Sequence, residues 1–104
     1  MTIDPLDLSR ALIKCPSVTP QDGGSQEVLR EALQWFGFRC EEVSFCEAGT
    51  ADVDNLYARL GNSSPNFCFA GHTDVVPVGD PEAWTIDPFG ACLLYTSPRP
   101  RDGL

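Results

Sequence analysis

Apolar residues recur at helical spacing in two stretches near the start of the chain. Leu6, Leu8, Ala11, Leu12 and Cys15 form the first stripe, with the spacing of an amphipathic helix. Asp4 is placed to cap it, Pro5 suits its first turn, and Pro16 ends it. In the second stripe, Val28, Leu29, Ala32, Leu33 and Phe36 lie opposite Arg30, Glu31 and Gln34. Ser25 or Asp22 caps this second helix, and Gly37 is placed to terminate it. The residues between, 16–24, carry Pro16, Pro20 and a Gly23–Gly24 pair, and read as a loop.

From residue 39 the pattern shifts to short apolar runs. Cys40, Val43 and Phe45 mark a strand over about 39–46, with imperfect alternation. Residues 47–52 read as a turn or loop, 55–60 as the next strand and 61–65 as a tight loop. Phe67 to Ala70 is short, apolar and aromatic, which predicts a third, buried strand. Strands joined as closely as 55–60 and 67–70 are expected to be antiparallel neighbours. The expected fold class is therefore α/β, with two helices on a partial mixed sheet of mainly three strands.

Length and charge narrow the picture. At 104 residues the chain holds one domain at most, with room for a sizeable core. An apolar fraction of 42% is ordinary for a folded protein. A net charge of −8 argues against nucleic acid as a partner, because phosphate binding needs clustered Lys and Arg. The five cysteines are irregularly spaced, with no C-x-x-C, which disfavours a structural zinc finger and fits a reducing, cytoplasmic compartment. Residues 1–4 lack the basic and apolar regions of a secretory leader, and no stretch approaches the roughly 20 apolar residues of a membrane span. Asn62-Ser63-Ser64 matches a glycosylation sequon and reads as a turn.

Candidate chemistry gathers at one point. The single histidine, His72, directly follows the Phe67–Ala70 run and Gly71, and Thr73 and Asp74 come next. Side chains two apart in an extended segment point to the same side, so His72 and Asp74 face one space. Open α/β sheets place chemistry outside the carboxyl ends of their strands. Imidazole ligates zinc or cobalt, and a nearby carboxylate ligates or orients the ring. The same residues could equally form a hydrogen-bonded strand end with an Asx turn.

The flanking residues shift this choice toward the metal site. Gly71-His72-Thr73-Asp74-Val75-Val76-Pro77-Val78-Gly79-Asp80, followed by Trp84-Thr85-Ile86-Asp87-Pro88-Phe89, resembles the first metal-binding segment of the dinuclear zinc amidohydrolases and aminopeptidases. Upstream, Cys15-Pro16-Ser17-Val18-Thr19-Pro20-Gln21-Asp22-Gly23-Gly24-Ser25-Gln26 is similar to the Pro-Ser-Val-Thr-Pro segment of the desuccinylase branch. The resemblance covers about residues 1–91. It implies the N-terminal part of a zinc-peptidase-like catalytic domain and an amide-hydrolysing parent enzyme, with an acetylornithine-deacetylase type as the alternative. It implies His72 as a ligand of one metal and Asp74 as its carboxylate partner in catalysis. The complete enzyme would carry two zinc ions, with cobalt as a substitute, act on a small-molecule substrate and form a homodimer. Asp80, Trp84 and Asp87 belong to the motif, but capping, loop closure and packing suffice for them.

The resemblance stops near Ala91. No Gly-Arg-Gly-x-x-Asp segment follows, and residues 92–104 have no periodic pattern, so they are expected to be a non-native or disordered tail. The bridging Asp, the general-base Glu and the later ligands of such enzymes have no counterpart here. The chain itself is therefore expected to be inactive. A non-catalytic binding module and a chain that does not fold stably are the remaining readings.

Overall fold

The computed structural model describes residues 3–93. Helix α1, Pro5–Ile13, starts where the sequence predicts: the Asp4 carboxylate accepts the Leu6 N–H at 3.0 Å, with Pro at the helix start. Helix α2, Ser25–Trp35, is started differently from a simple Ser or Asp N-cap. The cap position is Gly24, at φ 92°, and the cap chemistry comes from Asp22. Its carboxylate accepts from the Gly24 N–H at 3.1 Å, from the Gln26 N–H at 3.3 Å and from the Ser25 hydroxyl at 3.1 Å. At the far end Gly37 adopts φ 91°, and the Phe38 and Gly37 N–H groups close onto the Leu33 and Gln34 carbonyls, both at 3.0 Å. This is a Schellman ending, and it requires the left-handed residue that Gly supplies.

Strand β1, Arg39–Phe45, and strand β2, Val53–Arg59, form a two-stranded antiparallel sheet. Cys40 opposes Ala58, Glu42 opposes Leu56 and Ser44 opposes Asp54, so these six share one face. Helix α2 lies on that face: Arg30 pairs with Glu42 and with Glu27, and the Gln26 amide donates to the Asp54 carbonyl. Val43, Phe45, Val53 and Tyr57 occupy the opposite face and are exposed.

Two expectations are corrected. Residues 67–70 form no strand, so β2 pairs with β1 and not with this run. None of residues 66–72 makes a backbone hydrogen bond among the described residues, and Phe67 and Phe69 are 81% and 90% exposed. The aromatic content expresses fitness for a half-buried ladder, and a ladder needs a neighbour that no described residue supplies. The expected core is also missing. Only Ala32 and Ala91 are buried apolar residues among those described. The radius of gyration is 16.5 Å, against about 13 Å for a compact domain near this length. Of the expected tail at 92–104, residues 94–104 lie outside the described residues.

The loop at 16–24 is better ordered than its composition suggests. Gly23 sits at φ 64°, and a Cβ there would come within 2.7 Å of the Pro16 carbonyl. Asp22→Ala, which uncaps α2, should cost about 1 kcal/mol in urea unfolding. Gly23→Ala should cost more than Asp22→Ala, since it adds backbone strain to a steric clash. Equal midpoints for Gly23→Ala and the unmodified chain would contradict the close approach.

Candidate metal-binding site

Three pieces of chain meet around His72. The segment Gly71–Asp74, the loop at Thr19–Asp22 with Gln26 and Leu29 of α2, and Val53–Leu56 of β2 line a cleft of about 260 Å³. The 16–24 loop is held against the His72 segment by an isolated parallel bridge between Val18 and Val75. In it the Val75 N–H donates to the Ser17 carbonyl at 2.9 Å, and the Thr19 N–H donates to the Val75 carbonyl at 3.0 Å. The buried Ser17 hydroxyl adds a third bond, to the Thr73 carbonyl at 2.8 Å.

His72 and Asp74 are brought together. The His72 Nδ1 lies 2.9 Å from the Asp74 carbonyl oxygen and 3.1 Å from its Oδ1. Both partners accept hydrogen bonds only, so Nδ1 carries the proton and donates. In the neutral ring Nε2 is then the bare nitrogen, on a side chain that is 84% exposed. A bare, accessible Nε2 with Nδ1 held by a carboxylate and a carbonyl is the donor arrangement of a metal-ligating histidine. It supplies one ligand. No group of three or more His, Cys, Asp or Glu side chains converges on a metal position among the described residues, whereas a catalytic zinc takes about three protein ligands.

The other motif residues are used structurally. Asp80 accepts the Glu82 N–H at 3.0 Å and caps a short 3-10 turn, Pro81–Ala83. Asp87 accepts the Phe89 N–H at 3.0 Å, and the Trp84 indole donates to the Val78 carbonyl at 2.9 Å. Ser17 was not legible as a site residue. Its Pro-rich surroundings mark a loop, and nothing in the spacing tells where its hydroxyl goes.

Comparison with known proteins places these residues. Over 94 residues the chain is 60% identical to a succinyl-diaminopimelate desuccinylase of Rhodospirillum centenum, covering 90% of this chain and 24% of that protein. A protein of the same name from Parvibaculum lavamentivorans is 61% identical over 88 residues, 85% of this chain and 22% of its own length. Over these residues the chain is similar to proteins named succinyl-diaminopimelate desuccinylase. It spans about a quarter of the length of the desuccinylases it matches. No protein-family model matches the chain. At 60% identity over 83% of this chain, the desuccinylase of Beijerinckia indica gives the same assignment.

Two groups outside the cleft have displaced proton equilibria. Arg30 is raised by its hydrogen bond to Glu42, and the Cys46 thiol is raised chiefly by a hydrogen bond with Asp52. Since the thiolate is the nucleophile, Asp52 slows Cys46 at neutral pH. Asp52→Asn should bring the thiol down and speed iodoacetamide alkylation of Cys46 severalfold, read by peptide mass spectrometry. Within the cleft, Asp74→Ala removes one of the two Nδ1 acceptors. A nitrogen-15 spectrum of His72 should then show the Nδ1–H tautomer losing population to Nε2–H; an unchanged spectrum would leave the carboxylate no part in setting the ring.

Proposed function

We propose that the protein of which these residues form part hydrolyses N-succinyl-LL-2,6-diaminopimelate to succinate and LL-2,6-diaminopimelate. The observation that carries this reading is the His72–Asp74 pair, with Nδ1 held and Nε2 bare, within a segment about 60% identical to proteins named for that activity. The diaminopimelate route to lysine follows as the pathway. The same names favour this substrate over acetylornithine.

His72 contributes its Nε2 lone pair to one metal. Asp74 keeps the proton on Nδ1, which fixes the tautomer, turns Nε2 outward and increases its basicity. Zinc, or cobalt in its place, would acidify a water and polarise the scissile amide carbonyl when bound. The floor of the cleft, from Thr19 to Asp22 and from Val53 to Leu56, borders the space where the acyl amide would lie. The 104-residue chain offers one such ligand among its described residues, so it does not catalyse the reaction alone. The reading extends to a cytoplasmic, homodimeric parent. The five cysteines of this chain are free thiols, as a reducing compartment keeps them. No helix among the described residues is long and apolar enough to cross a membrane.

The test uses two proteins. The 104-residue chain, incubated with zinc and N-succinyl-LL-2,6-diaminopimelate, should release no succinate above background. A family-length desuccinylase carrying these residues should turn the substrate over, and Asp74→Asn in it should lower kcat/KM by about 10–100-fold. Succinate release by the short chain, or full activity of the Asp74→Asn enzyme, would overturn the assignment.

A further inference from the structure

We infer that Ser17 is a positioning residue for the His72–Asp74 pair. Two serines are buried among the described residues, Ser17 at 3% exposure and Ser25 at 1%. Ser25 serves its own helix start, donating to the Asp22 carbonyl at 2.8 Å. Ser17 reaches across 56 positions to the Thr73 carbonyl, the peptide group between the imidazole and its carboxylate. Its own carbonyl receives the Val75 N–H. The two bonds grip 73 and 75 from one residue and hold the backbone on either side of Asp74.

One other described backbone bond holds this segment, from the Thr19 N–H to the Val75 carbonyl at 3.0 Å, and it lies downstream of Asp74. On the upstream side, residues 66–72 make no backbone–backbone hydrogen bond among the described residues. The grip is itself braced, because Gly23 packs on Pro16 and Asp22 ties the end of the loop to α2. Ser17→Ala leaves the half-buried Thr73 carbonyl without its hydroxyl donor and loosens the Thr73 peptide. Rotation moves the Asp74 carbonyl and carboxylate away from Nδ1, and the ring loses the contacts that select its tautomer. The role for catalysis rests on the proposed metal-ligand reading of His72. The role in placing the ring does not.

The experiment takes the 104-residue chain labelled with nitrogen-15 histidine and records long-range proton–nitrogen spectra at alkaline pH. The unmodified chain should show the Nδ1–H tautomer. Ser17→Ala, with helix content verified by circular dichroism, should show the mixed tautomers of a free imidazole. Ser17→Thr, which keeps the hydroxyl, should restore the original spectrum. Zinc should perturb Nε2 in the unmodified chain, with about tenfold weaker binding in Ser17→Ala. A folded Ser17→Ala chain with the original tautomer would overturn the inference. If Ser17→Ala does not fold, Ser17→Cys replaces it: a partial shift toward the mixed signature supports the role, and none overturns it. Zinc that leaves Nε2 of the unmodified chain unperturbed would defeat the metal reading instead, while the tautomer result still decides the role of Ser17.

Discussion

The site depends on a short stitch between two loops, made by residues 17–19 and 73–75. Three hydrogen bonds of 2.8–3.0 Å form it. Neither partner belongs to a helix or to the β1–β2 sheet. Net, such bonds contribute about 1 kcal/mol each, which is modest for a folded protein but enough to select one geometry for a surface peptide. Everything chemical about His72 follows from that selection. Without it the ring is one exposed imidazole on an extended segment.

The stitch also explains why residues so far apart in sequence form one cleft. Asp22 serves two structures: its carboxylate starts α2, and its loop carries Ser17. Helix α2 in turn lies on the sheet, through Gln26 to Asp54 of β2 and through Arg30 to Glu42 of β1, which brings Val53–Leu56 to the same opening. Polar contacts therefore help place the walls, with Ala32 and Ala91 the buried apolar residues among those described and most of the helix stripes half-buried. This inverts the usual order, in which a core positions the loops and the loops carry chemistry.

The parts legible in the sequence are those whose causes are local. The helices were readable because their stripes, the Asp4 cap and the Gly37 stop each lie within a few residues of their effect. The His72–Asp74 pairing was readable for the same reason, since two-residue spacing in an extended chain sets side-chain direction. The Phe67–Ala70 run was misjudged because strand formation is decided by a neighbour elsewhere in the chain, and none of the described residues takes that place. Ser17 was passed over because a hydroxyl that acts 56 residues away leaves no periodic trace.

The bare approach through residues 66–71 has a thermodynamic consequence. Those peptide groups reach His72 with no backbone partner among the described residues, so they retain the freedom that a laddered strand has already surrendered. Ordering them costs about 1–2 kcal/mol per residue. A cation captured here must offset whatever part of that cost its arrival imposes. Its affinity for this chain therefore measures how settled the backbone is one step upstream, as well as the quality of the nitrogen that meets it.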